Sequence, residues 1–148
     1  MMRIKDCDIQ DEKIPKFNFR LYESGFMRFI LRISFWILNR LDGRRDKKVC
    51  GFSLAEYVPS KYRDTMGATG SQASRYWLLE KVFQDAVFSE DDRVIDVGCG
   101  KARVFAYLIE QGIQCPMHGV ELNQEVADIA RKWTDRYPNI TVTCEDAF

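Results

Sequence analysis

The sequence lacks a paired-cysteine framework: Cys7, Cys50, Cys99, Cys115 and Cys144 are odd in number, widely spaced and form no C-x-x-C pair. That argues against both a disulfide scaffold and a zinc knuckle, and no metal site is expected. Net charge is also missing. Lys and Arg total 22, as do Asp and Glu, so the whole chain has no field to collect nucleic acid, anionic lipid or an acidic substrate. The start, MMRIKDCDIQDEKIPK, is too charged to read as a secretory leader, which makes a cytoplasmic location the expectation. Nor is there a spanning segment: the most apolar window, residues 26–41, is broken by Arg28 and Arg32 and falls short of the roughly 20 apolar residues a bilayer requires.

What is present suits one modest core. At 148 residues, 46% hydrophobic and 30% charged, the chain reads as a globular domain, residues 67–148, behind an N-terminal extension, residues 1–66. The balanced charge hides an asymmetry, since the first 66 residues carry 14 basic and 9 acidic side chains and the remainder 8 and 13. Within the extension, Arg28, Arg32 and Asn39 form one polar stripe on a helix over residues 26–41, against a wide face of Phe26, Phe29, Ile30, Ile33, Trp36 and Ile37. Such a helix packs on its own protein or on a second subunit, or lies on a membrane surface with basic edges. Residues 42–48, DGRRDKK, read as a charged turn-like linker.

Further on, Ser71 or Ser74 is placed to cap a helix that carries Trp77, Leu78, Val82 and Phe83 and ends near Ser89. Strand and helix then alternate. Residues 93–97 form an apolar strand, 102–111 a helix stopped by Gly112, 117–121 a second strand, 124–137 a helix closed by Pro138, and 140–144 a third strand. Two such crossovers imply an α/β fold with a Rossmann-like parallel sheet and helices on both faces.

The chemistry concentrates where the first strand meets its helix, in Asp96-Val-Gly98-Cys99-Gly100-Lys101-Ala102-Arg103. Gly98 and Gly100 let the main chain turn tightly and approach a ligand. A dinucleotide loop of the G-x-G-x-x-G type wants a small residue where Arg103 stands, and Asp96 sets a carboxylate where a phosphate would be repelled. An ammonium or a sulfonium suits that position better. Glu121, 25 residues beyond Asp96, ends the second strand, where a carboxylate can accept hydrogen bonds from two ribose hydroxyls; the competing reading is a surface acid at a helix start.

On these residues the chain resembles the class I S-adenosylmethionine-dependent methyltransferases, whose first motif is acid-x-Gly-x-Gly-x-Gly, with Ala102 in place of the last glycine. The resemblance covers about residues 71–148. It implies S-adenosyl-L-methionine as cofactor, with Asp96 near its amino group directly or through water, and with Gly98, Cys99 and Gly100 contributing backbone around the methionine portion. It places Glu121 on the ribose, Leu122 beside the adenine, and Asp146 on the adenine amine with the Ala147 backbone next to it; Glu145 competes with Asp146. Lys101 and Arg103 either reach the cofactor carboxylate or rim, or are solvated. His118 reads as buried structure rather than a general base, and Cys99 as a backbone contact rather than a thiolate.

The family sheet usually has seven strands, and the loop after the fourth supplies substrate contacts. This sequence ends after the third, so the expectation is a cofactor-binding portion with an unknown methyl acceptor and no nameable catalytic residue. In the family's strand order the first strand would then be an exposed edge, covered by the helix of residues 26–41 or by a homo-oligomer. The alternative is a non-catalytic cofactor-binding or peripheral membrane-associated interaction module.

Overall fold

A computed structural model describes residues 25–61 and 70–146. The chain divides into two units, residues 1–35 and 36–148, and helix α1 (Gly25–Cys50) belongs to both. In the first unit its described part exposes Phe26, Phe29 and Ile33. In the second, Trp36, Ile37 and Leu41 are exposed, and from Asp42 onward the character of the helix changes. Asp42, Asp46 and Cys50 recur at intervals of four, the spacing of one helix face, and all three are buried. The stretch read from sequence as a linker is therefore helix. Its charges gave the linker reading, yet two of them point into the protein, where Arg75 and Arg103 meet them.

After α1 the chain runs through Leu54 and Val58, and Val58 forms an isolated antiparallel bridge with Ser71. Helix α2 (Tyr76–Val82) follows. Its inward face differs from the expected one: Tyr76 and Leu79 are buried, whereas Trp77, Leu78 and Val82 are exposed. The helix is also shorter than expected, and Arg75 holds the cap position without a side-chain hydrogen bond, so neither Ser71 nor Ser74 caps it. The physical reason is tertiary. The Tyr76 hydroxyl donates to Asp46 at 3.0 Å, and that buried anchor, not the apolar run around it, sets the rotation of the helix.

The remainder is β1 (Val94–Val97), α3 (Arg103–Glu110), β2 (Met117–Glu121), α4 (Gln124–Thr134) and β3 (Ile140–Cys144). The three strands are parallel in the order β1-β2-β3, with Asp96 in register with Gly119 and Gly119 with Val142. This is the βαβαβ half of a Rossmann-like sheet. Asn123 caps α4 by accepting from the Glu125 amide at 3.1 Å, and Gly112, at φ +79°, ends the turn after α3.

Both crossover helices pack on one face. Phe105, Ala106 and Leu108 of α3 and Ala127, Ala130 and Trp133 of α4 share a core with Met117, Ile140 and Val142. Each large side chain buried there stabilises by about 1.5–3 kcal/mol. The opposite face holds Ile95 and Val97, which stay 66% and 58% exposed, so no described element covers β1 on that side. Among the described residues β1 pairs only with β2 and is an edge of the sheet. On the same face His118 is half-buried rather than fully buried: its Nδ1 lies 2.8 Å from Thr141 Oγ1 and its Nε2 3.3 Å from Thr143 Oγ1, a cross-strand structural role.

Candidate functional site

The loop between β1 and α3 is fastened by its own backbone. The Gly98 and Cys99 amides both donate to the Val120 carbonyl, at 2.8 and 3.0 Å, which lays the loop across the end of β2. The Gly100 amide donates to Glu121 Oε2 at 2.9 Å. Gly98 (φ +74°) and Gly100 (φ +56°) occupy the left-handed region, so glycine is required there by conformation. Ala102, at φ +65°, is in that region too and is the only non-glycine residue so placed among the described residues. This explains why the motif favours glycine at the third position, and it shows that alanine is held there at the strain of a left-handed residue.

A second glycine requirement comes from space. A Cβ on Gly119 would lie 2.7 Å from Cys99 Sγ and 3.1 Å from Phe105 Cε2, so the bare β2 backbone is what admits the loop. Cys99 itself is buried, and burial, then the charges of Asp96 and Glu121, push its thiol up to about 12. It is a packing residue, unreactive at neutral pH.

Above the loop opens a pocket of about 550 Å³. Its lining brings together Asp96, Gly98, Cys99, Gly100, Glu121, Leu122 and Asp146 from the three strand ends. Glu145 lines it as well and accepts from Thr143 Oγ1 at 2.7 Å; Ala147 lies outside the described residues. Glu121 does more than the sequence suggested. One oxygen accepts the Gly100 amide and the other the Asn123 amide, each at 2.9 Å, so this carboxylate ties the glycine loop to the start of α4 while keeping lone pairs free for a ligand. Asp96 is the perturbed group. Burial, and secondarily the charge of Glu121, raises its carboxyl from 3.8 to about 6.

The two cations of the motif also line this pocket, yet neither offers its charge to a ligand, nor is either solvated. Lys101 Nζ donates to the carbonyls of Leu54 and Glu56, and burial pulls its ammonium below the usual range. Arg103 grips Asp46 with two nitrogens, at 3.0 and 2.7 Å, and donates to the Ser74 carbonyl at 3.0 Å. A further part of the lining comes from Ser60 and residues 70–74, upstream of the sheet. Within that stretch the sequence pointed to Ser71 and Ser74 only as helix caps, not as lining. The signal that would have found it is long-range: Asp42 and Asp46 at helical spacing, awaiting two arginines.

No protein-family model matches the chain, and no curated protein matches it. Among solved structures it is similar to a protein-L-isoaspartate O-methyltransferase (19% identity over 78% of this chain and 42% of the other, TM-score 0.47). It is similar also to the cyclase SpnF (19% over 75% and 42%, TM-score 0.44). A third is phosphoethanolamine N-methyltransferase 1 of Haemonchus contortus, solved with phosphoethanolamine and S-adenosylhomocysteine (11% over 88% and 24%, TM-score 0.40). The chain spans less than half the length of each of these proteins.

Proposed function

We propose that this chain is the cofactor-binding portion of an S-adenosylmethionine-dependent methyltransferase whose acceptor is unknown. One observation carries the reading: Asp96, Glu121 and Asp146 line a single pocket over a bare glycine loop, while the pocket's own cations are already committed to protein partners. The balance left to a ligand is negative. It repels the pyrophosphate of a dinucleotide or a nucleoside triphosphate and suits an adenosine bearing positive charge.

The residues fit that cofactor. Asp96 is suited to its ammonium, the lone pairs left on Glu121 to ribose hydroxyls, and Leu122 with Asp146 to the adenine; the pocket volume lies within the range of small-molecule sites. When bound, the cofactor supplies an electrophilic methyl group on a sulfonium. The contribution of this chain is to orient it through close approach of the bare glycine-loop backbone and through the three carboxylates, and to keep water from its adenosine end. No group of the chain is assigned to move a proton, since a competent nucleophile needs none.

Isothermal titration separates this reading from a dinucleotide or nucleotide site. S-adenosylmethionine and S-adenosylhomocysteine are expected to bind with micromolar constants (Kd of order 10 μM, about −7 kcal/mol). NAD and ATP are expected to give no heat. Binding of NAD in preference to both adenosyl ligands would overturn the proposal.

A further inference from the structure

We infer that Asp46, in the extension and away from the glycine loop in sequence, is a positioning residue of this pocket that acts through Arg103. Its bearing on cofactor affinity rests on the reading above; its bearing on pocket geometry does not.

Asp46 is fully buried, and its carboxylate accepts four hydrogen bonds from three separate segments. Arg103 Nε and the Tyr76 hydroxyl each meet Oδ1 at 3.0 Å, while Arg103 Nη2 at 2.7 Å and the Leu54 amide at 2.8 Å meet Oδ2. A charge removed from water is tolerated only with such complete pairing, and a well-packed apolar pair of similar volume often stabilises a core as well. What the ionic pair adds here is direction. Arg103 is the first residue of α3, three residues past Gly100, and its remaining arm donates to the Ser74 carbonyl at 3.0 Å and the Ala73 carbonyl at 3.4 Å. Ala73 and Ser74 belong to the part of the pocket lining that lies upstream of the sheet. One guanidinium thus ties the ligand loop to the upstream segment of the lining, and Asp46 fixes the plane in which that guanidinium lies. The relative placement of these two parts of the lining follows from this pair.

The test compares Asp46→Asn with Leu79→Ala, a core truncation on α2 outside the pocket lining, in the full chain. Amide hydrogen exchange is read without ligand, and the Kd for S-adenosylhomocysteine is read at a temperature where circular dichroism shows both variants folded. We expect Asp46→Asn to speed exchange at residues 100–103 and 71–74 by about tenfold more than Leu79→Ala does, with β3 unchanged. We expect its Kd to rise about tenfold while that of Leu79→Ala stays at the wild-type value. A purely stabilising role would make the two variants alike in exchange pattern and in Kd, and that result overturns the inference. Arg103→Lys, which keeps the charge but loses the two-pronged grip, is read in the same way and gives a smaller effect of the same kind; it serves where Asp46→Asn fails to fold. If the wild-type chain binds no adenosyl ligand, the cofactor reading falls, and the exchange comparison alone upholds or overturns the positioning role.

Discussion

Asp96→Asn is expected to make the unliganded chain more stable at neutral pH while weakening its hold on ligand. In the folded chain burial and the neighbouring charge of Glu121 hold the Asp96 carboxyl at about 6 rather than 3.8. The native state therefore keeps a proton that the unfolded state releases. Between those two values the folded chain binds more protons than the unfolded one, so this contribution to stability falls as pH rises from about 4 through about 6 and is fully unfavourable above 7. A displacement of about two pH units corresponds to about 3 kcal/mol as a ceiling, and partial solvent access at the pocket lip reduces it to about 1–2 kcal/mol. Asparagine carries no charge at any pH and escapes the penalty. Urea melts of both proteins at pH 4.5, 5.5, 6.5 and 7.5 would show curves that nearly coincide at the acid end and separate in favour of Asp96→Asn at the alkaline end. The same substitution should raise the Kd for S-adenosylmethionine about tenfold or more at pH 7.5, since a desolvated carboxylate is what an ammonium rewards. An Asp96→Asn chain that is less stable than wild type at pH 7.5, or a stability difference that does not vary with pH, would refute the reasoning.

Other outcomes follow from the same geometry. Glu121→Ala orphans the Gly100 and Asn123 amides and should cost about 2–3 kcal/mol in urea unfolding besides ligand affinity. Glu121→Gln retains an acceptor and should instead bring the Asp96 titration down, readable by NMR; an unmoved Asp96 would discount their coupling. Ala102→Gly relieves about 1–2 kcal/mol of left-handed strain but loses a buried methyl and backbone entropy of similar size, so its melting curve should lie within about 1 kcal/mol of wild type. Ala102→Val, β-branched at the same φ, should lose more than about 2 kcal/mol. Gly119→Ala drives a methyl against Cys99 and Phe105, and a loss below about 1 kcal/mol in urea would mean that the loop yields more easily than its packing implies. Finally, α1 exposes Phe26, Phe29, Trp36 and Ile37 beside Arg28, Arg32 and Arg40, with no acidic residue before Asp42. Co-sedimentation with phosphatidylglycerol vesicles but not with phosphatidylcholine vesicles would favour a membrane surface as its partner, and no pelleting with either would favour packing on protein; equal pelleting with both would exclude the charge term.

The sheet was legible because its signals are local. Alternation of short apolar runs with amphipathic stretches located β1, β2 and β3 within a residue, and Gly112 marked the end of α3. The strand-end residues of the motif could likewise be placed at one rim, since parallel strands joined by crossovers put their carboxyl ends together. What sequence could not show is who pairs with whom. DGRRDKK reads as solvent-seeking because single-chain reasoning sees charges and no partners, yet Asp42 and Asp46 satisfy Arg75 and Arg103 more than 30 residues away. The same blindness misjudged α2, where Tyr76 carries the buried face through a hydroxyl contact that no apolar periodicity records.

This division of labour among charges also accounts for the sign of the pocket. A glycine loop opening onto a helix start presents amides and a positive helix end, a combination that by itself invites anions. Here the Lys and Arg of the loop are drawn into the protein by the Leu54 and Glu56 carbonyls and by Asp46, while carboxylates from β1, from β2 and from the turn after β3 line the cavity. The acid on β2 offsets the amides it accepts, and the acid on β1 keeps a raised proton affinity that a bound cation would relieve. A scaffold shared with phosphate binders is thereby given an acid-lined pocket by where two basic side chains find their partners, and the extension preceding the sheet supplies those partners; under the proposed function this is what suits it to a cationic adenosine.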